Sequence, residues 1–434
     1  MRNFLFLAAG LLALLSSCDA KPKTDAASLE PAAAKPAYGS FGADTSQMET
    51  SVKPGDDFYK YVNGKWLAAT KIPADKSGFS SGAIVNDKAE ADVEQKRERW
   101  KRGVSLVDAS IGEGLSQAYV QKFFPPENKA KMDALVANLR AALKSRIEKL
   151  DWMDEPTRTE ALKKLATFEP RVGYPDKWRD YSGLTIEPGK LFEDVEAARK
   201  FDWQRQVKRL RQPVDRSEWA MTPYSVDAYY DSSMNQITFP AGILQPPFFD
   251  PAADPAVNYG AVGAIIGHEI GHGFDDQGRE YDEAGKIRNW WTPETDKKFK
   301  AATDVLAAQY HAYCPIAGDA SACVNGRLTM GENIGDMGGL QMAYTAYKLS
   351  LCDKAAPVIE GFTGDQQFFM AYAQAWKAIQ RDDADRAQML SDPHSPHVVR
   401  GSNPERNIDA WYDAFGVKEG DKMYLPPDKR VHIW

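Results

Sequence analysis

Residues 267–276 read Gly267-His268-Glu269-Ile270-Gly271-His272-Gly273-Phe274-Asp275-Asp276, and they lie in a stretch, Tyr259 to Phe274, whose pattern predicts a helix. Positions four apart on a helix share one face, so His268 and His272 can present two imidazoles, one turn apart, to a single ion. Glu269 stands beside the first of them and projects toward the open side of such an ion. The chain has six histidines, and chance formation of this pattern is on the order of one in two hundred. Glycines at 260, 263, 267, 271 and 273 each carry an intrinsic cost in a helix, which predicts that close packing holds this one. His311, His397 and His432 have no comparable context and read as surface or packing histidines.

A zinc peptidase needs a third protein ligand and one open coordination position. Downstream, Glu332-Asn333-Ile334-Gly335-Asp336 is followed by an apolar helical pattern through Leu340, Met342, Tyr344 and Tyr347, which puts Glu332 and Asp336 on one helix face. Glu332 can then ligate while Asp336 holds the far nitrogen of a ligating histidine. Taken alone, such a pair of acids is usually a solvated helix face.

Further out, Met132, Leu135, Val136, Leu139, Leu143 and Ile147 recur at helical spacing between Pro125 and Leu150, predicting a surface helix with one buried stripe. A second helix is predicted from Glu155 to Leu165, with Pro156 in its first turn. Between Tyr224 and Phe239 the residues Val226, Tyr229, Tyr230, Ile237, Thr238 and Phe239 favour strands around an Asp-Ser-Ser-Met-Asn turn. The expected fold class is mainly α with a small β-sheet.

At 434 residues the chain can bury a large core. With 43% hydrophobic and 26% charged residues it has the composition of a globular protein, which excludes general disorder. Its net charge of -7 argues against general affinity for nucleic acid or anionic membranes, although a local basic patch can still exist.

Arg2, the apolar run Phe4 to Leu15 and Leu15-Ser16-Ser17-Cys18 form an export signal too short to span a bilayer. Residues 1–18 resemble a bacterial lipoprotein signal, with Cys18 as the lipidated residue; the other reading is an ordinary secretory signal with a coincidental cysteine. Residues 19–54, rich in Ala, Pro, Lys, Ser and Thr, read as a flexible tether. Localisation is accordingly expected in a bacterial cell envelope or periplasm, with membrane attachment through the N-terminal lipid. Cys314 and Cys323 flank a short loop that an oxidising compartment could close as a disulfide, leaving Cys352 over; three free, mostly buried thiols are the alternative.

The stretches 267–276 and Gly331-Glu332-Asn333-Ile334-Gly335-Asp336 resemble the signatures of the neprilysin family of zinc metallopeptidases, a gluzincin group. So do Asp57-Phe58-Tyr59-Lys60-Tyr61-Val62-Asn63-Gly64-Lys65-Trp66, Phe239-Pro240-Ala241-Gly242-Ile243-Leu244-Gln245-Pro246-Pro247-Phe248-Phe249 and the terminal Trp434. The resemblance runs from Gly55 to the end. It implies a thermolysin-like zincin domain at 203–434 after an N-terminal segment and helical lobe at 55–202. It also implies one Zn2+ per chain on His268, His272 and Glu332, with Glu269 activating a zinc-bound water and Asp336 orienting His268. His394, in Asp392-Pro393-His394-Ser395-Pro396, matches the family's oxyanion-stabilising histidine, and Arg400 its substrate-binding arginine. Ile243, Phe248, Ile265 and Trp376 are implied to form an apolar specificity pocket. The implied activity is endopeptidase cleavage of oligopeptides on the amino side of hydrophobic residues.

Two departures stand out. The family's Asn-Ala-Tyr-Tyr, whose first two residues bind substrate backbone, is here Asp227-Ala228-Tyr229-Tyr230, so a group that donates and accepts is replaced by one that only accepts. The chain is also shorter than family members by roughly a third, with the gap falling after Glu94, inside the helical lobe. A reduced lobe is expected to leave the cleft open unless a homodimer covers it. These departures motivate the alternative of a weakly active or non-catalytic zinc lipoprotein serving as a peptide-binding or structural module.

Overall fold

The computed structural model describes residues 35–73, 76–86, 99–316, 319 and 322–434. The signal segment, Cys18, the first part of the expected tether and Lys96 to Glu98 lie outside them.

Among the described residues the helices are α1 (Phe58–Ala69), α2 (Arg99–Phe123), α3 (Pro126–Lys149), α4 (Glu155–Thr167), α5 (Leu191–Arg209), α6 (Pro255–Asn258), α7 (Ala264–Gly271), α8 (Pro293–His311), α9 (Met330–Ser350), α10 (Gly364–Ala375), α11 (Asp382–Ser391), α12 (His397–Arg400) and α13 (Asp409–Phe415). The strands are β1 (Gly78–Ser80), β2 (Glu169–Gly173), β3 (Tyr229–Asp231), β4 (Gln236–Pro240) and β5 (Ala378–Gln380). The fold is mostly helical, as the sequence predicts, with a second small sheet, β1-β5, beside the expected one.

The predicted helices form where their apolar spacing places them. In α3 all six stripe residues, Met132 through Ile147, are buried. α4 starts on Asp154, whose side chain accepts from Thr157 N–H, with Pro156 in the first turn where its missing donor costs nothing. The predicted strands are β3 and β4, antiparallel with Tyr230 opposite Ile237. The turn between them closes through Asn235 at φ +51°, a conformation that Asn tolerates. A third strand, β2, pairs parallel to β4, giving the order β2-β4-β3 and leaving β3 at the edge. Sequence reasoning missed β2 because Glu-Pro-Arg-Val-Gly has neither alternation nor strand-forming composition; its partner decides its state.

The helix carrying the two histidines is composite: α6 runs into a π-helical turn at Tyr259–Gly263 and then into α7. Gly267 and Gly271 face α9, which crosses α7 at backbone contact, and Gly260 lies against the backbone of Phe368 in α10. A Cβ on Gly267 would sit 2.7 Å from Gly339 O, and one on Gly339 would sit 2.4 Å from His268 N. Trp434 is buried among Trp152, Phe274, Trp291 and Phe299, and its terminal oxygen accepts from Arg146. The chain terminus thereby braces the back of α9, where a Cβ on Gly338 would meet the Trp434 ring at 2.4 Å.

Three expectations need correction. The tether does not extend to residue 54: Phe41 and Met48 are buried in the core, and Asp44 N–H donates to Gln374 Oε1. Two apolar side chains barely register in the composition of that stretch, yet each fills a core position. The expected boundary at 202/203 falls inside α5, a continuous helix. Cys314 and Cys323 are disulfide-bonded, but Cys352 is not left over; it too is disulfide-bonded, and the described residues include no free cysteine.

Candidate metal centre and cleft

α7 and α9 bring together the groups that the sequence places far apart. One ligand atom from each of His268, His272 and Glu332 lies within 4.8 Å of the other two. Both imidazoles are oriented by carboxylates at Nδ1, His268 by Asp336 Oδ1 at 2.8 Å and His272 by Asp275 Oδ2 at 2.7 Å. Each therefore turns Nε2 toward Glu332, His268 at 3.1 Å and His272 at 3.7 Å.

These residues fit a zinc ion. Glu332 Oε2 is buried and accepts no hydrogen bond, although His268 Nε2 and His394 Nε2 stand 3.1 and 3.2 Å away. Two imidazole nitrogens and one carboxylate oxygen are also a donor set that zinc accepts, with room for a fourth ligand.

The electrostatics match. Burial alone would raise the Glu332 carboxyl, but the adjacent His268, then the charges of His272 and Arg400, hold it well below the usual carboxylate range. Burial likewise opposes charge on His268, yet Asp336 and Glu332 outweigh it and raise its pKa. A site that draws positive charge onto its ligands in this way suits a cation. Glu269, in the cleft beside them, has its pKa raised by burial, an effect opposed by His272 and His268 and assisted by Glu332 and Asp227.

The cleft, about 410 Å³, is lined by every residue the sequence nominated for substrate: Asp227, Ala228, Ile243, Phe248, Ile265, Trp376, His394 and Arg400. Their settings differ. His394 is held by Asp392 Oδ1, which accepts from its backbone N–H at 2.8 Å and lies 2.7 Å from its Nδ1, so Nε2 faces the metal ligands. Arg400 is more constrained than a free substrate clamp: its guanidinium donates twice to Asp336 and lies 3.8 Å from the centroid of the Trp376 ring. Asp227 is exposed, and its Oδ1 accepts from the neighbouring Ala228 N–H.

Two residues were missed. Asp275 orients His272; the signal available was a carboxylate three residues past the second histidine, where the helix has ended. His397, read as a packing or surface residue, lines the cleft. Burial, followed by the charge of Arg400, lowers its pKa to about 4, and its Nδ1 is buried without a hydrogen-bond partner.

Comparison with known proteins gives a consistent result. A family profile described as Peptidase family M13 matches residues 227–431, and a second of the same family matches 54–95 and 91–175. The chain is 36% identical over 348 residues to Neprilysin-3 of Drosophila melanogaster, covering 78% of this chain and 44% of that protein. It is 35% identical over 347 residues to Endothelin-converting enzyme 1 of Homo sapiens, covering 77% and 44%. The chain thus spans less than half the length of these relatives. Among solved structures, the zinc metalloprotease ZMP1 of Mycobacterium tuberculosis in complex with inhibitor superposes with a TM-score of 0.84 at 29% identity, covering 92% of this chain and all of that one. The same enzyme in its open state gives 0.73 at 50% identity, covering 79% and 53%.

Proposed function

The chain belongs to peptidase family M13, and from that premise we propose that it is a zinc-dependent endopeptidase cutting oligopeptides on the amino side of hydrophobic residues. The observation that carries this reading is the convergence of His268, His272 and Glu332 within 4.8 Å at the floor of a cleft that also holds Glu269.

Zinc bound there would supply a Lewis acid that polarises the scissile carbonyl and acidifies a water. The rest falls to the chain's own groups. Glu269 takes the proton from the attacking water and delivers it to the leaving amine as the C–N bond breaks. Burial raises its pKa, which favours the proton-carrying form it passes through between accepting and returning the proton. His394, fixed through Asp392, directs Nε2 at the carbonyl oxygen and stabilises the charge that develops there. Asp336 and Asp275 fix the tautomers of the two ligating histidines. Asp227 and Ala228 lead directly into β3, an edge strand, and their backbone pairs with an extended peptide in this reading. Ile243, Phe248, Ile265 and Trp376 then receive an apolar side chain, and the remaining donors of Arg400 serve substrate carbonyls.

The helical lobe is reduced in this reading, which is supported by the two separate N-terminal matches meeting at 91–95 and by the much greater length of the relatives. The chain is exported and lipid-anchored at Cys18, a reading supported by the signal-like residues 1–18 and by the Cys314–Cys323 disulfide. The mass of the Cys18 peptide decides the anchor: a lipid adduct supports it, and an unmodified cysteine would overturn it.

Purified protein is expected to contain one zinc per chain and to cleave a quenched peptide in a chelator-sensitive way, with zinc restoring activity. Hydrolysis that survives complete metal removal would overturn the assignment.

A further inference from the structure

α5 has two faces of opposite character. Toward the protein, Ala198 is buried, Phe201 stacks on Tyr181 at 5.7 Å, and Arg205 pairs with Asp202 and Glu218. On the other side Phe192, Trp203, Val207 and Leu210 are 85%, 70%, 44% and 84% exposed. At about 3.6 residues per turn these four fall on one stripe about 27 Å long. Val214, 72% exposed, continues it past the helix end. Single exposed apolar side chains are ordinary, whereas a contiguous stripe marks an interaction surface.

The charges beside the stripe are as distinctive. Residues 199–216 carry seven Lys and Arg against two Asp, in a chain whose net charge is -7; Arg205 and Arg209 pair with Glu218 and Arg216 with Glu169, so the basic groups that count here are Arg199, Lys200, Lys208 and Arg211. Arg199 lies on one flank and Lys200 on the other, and both are exposed, as are Lys208 and Arg211 near the C-terminal end. Glu196 interrupts the stripe one turn beyond Phe192, so the combination of apolar and basic groups is strongest from Trp203 to Val214.

We propose that this face of α5 docks on a lipid bilayer bearing anionic headgroups, with Trp203, Val207 and Leu210 entering the headgroup–acyl boundary and the flanking Lys and Arg meeting phosphates. A bilayer offers apolar and anionic surface together without requiring a complementary shape. A second copy of the chain suits the face less well. The basic flanks of two copies would repel each other across such a contact. No described helix is long and apolar enough to cross a membrane, so the contact is peripheral. The acidic remainder of the protein is repelled from the same lipids, which fixes the side that faces them. A Cys18 anchor would bring the chain to a bilayer, but the chemistry of α5 stands without it.

Hydrogen exchange on the full chain tests this directly, because it locates the contact whatever else binds. With vesicles of phosphatidylcholine and phosphatidylglycerol, amides across 199–210 should exchange about tenfold more slowly, and the effect should disappear with phosphatidylcholine alone or at high salt. The double substitution Trp203→Ser with Leu210→Ser should abolish it while leaving peptide hydrolysis and zinc content unchanged. Three results would overturn the proposal: no slowing with anionic vesicles, slowing that the double substitution leaves intact, or equal protection without lipid accompanied by a doubled mass in sedimentation. The last would assign the face to a second copy.

Discussion

The Arg400 guanidinium closes a two-point ion pair on Asp336, Nε to Oδ2 and Nη2 to Oδ1 at 2.8 Å each, while the same Oδ1 lies 2.8 Å from His268 Nδ1. A residue assigned to substrate and a residue assigned to the metal are thus one buried unit. The Arg400 charge and the His268 hydrogen bond hold the Asp336 carboxyl below its usual range against the effect of burial, so it remains an acceptor for both partners.

Asp336→Ala should therefore act in two places at once. Zinc affinity, read by competition with a chelator, should fall about 10–100-fold as His268 loses its orienting partner. The uncompensated Arg400 should also cost stability, about 3–5 kcal/mol, seen in denaturant unfolding. Wild-type zinc affinity in the variant would show that Asp336 braces only Arg400.

Asp227→Asn should restore a donor at the cleft edge and remove a charge that raises the Glu269 pKa. Since Asp227 Oδ1 is occupied only by its neighbour's amide, little else is lost. If the new donor bonds more strongly in the transition state, kcat should rise along with an improved KM. An unchanged or lower kcat/KM would give Asp227 a different local role.

Glu405 offers a test of stability remote from substrate. It is 0% exposed, neither carboxyl oxygen has a hydrogen-bond partner, and burial raises its pKa to about 8. The unfolded carboxyl ionises near 4.5, so the unfolded chain binds fewer protons between that pH and 8. The group's contribution is most favourable below pH 4.5 and is lost as pH rises through 8. Glu405→Gln should consequently raise the unfolding midpoint at pH 8 and have little effect near pH 5. A pH-independent effect would contradict the buried, protonated carboxyl.

An open cleft predicts tolerance of length. In a series of unstructured peptides sharing one cleavage site, a reduced lobe should give lower kcat on short peptides, because water is less well excluded, and only a weak penalty as length increases. A sharp cutoff at short lengths in isolated monomer would refute this. A cutoff appearing only at high concentration would point to closure by a second chain.

In the metal centre, four-residue spacing on one helix made His268 and His272 legible, whereas Glu332 and Asp336, an acid pair that alone reads as a solvated face, were singled out by the resemblance of 331–336 to a family signature. The helices α3 and α4 were legible from local spacing, like the histidine pair. What escaped depends on partners distant in sequence. β2 is a strand because β4 lies beside it, and Phe41 and Met48 leave the expected tether because the core has places for them. Asp275 acts after α7 has ended, where periodicity carries no information. His397 enters the cleft through the packing of α12, which no spacing predicts.

The central claim is that Glu269 moves the proton in a zinc-dependent hydrolysis, and Glu269→Gln tests it most directly because the change is nearly isosteric and leaves all three metal ligands in place. Measured on zinc-loaded protein with a quenched peptide, kcat should fall by about 10²–10⁴-fold, with one zinc per chain retained and peptide binding preserved. Full activity in that variant, with zinc still bound, would contradict the account.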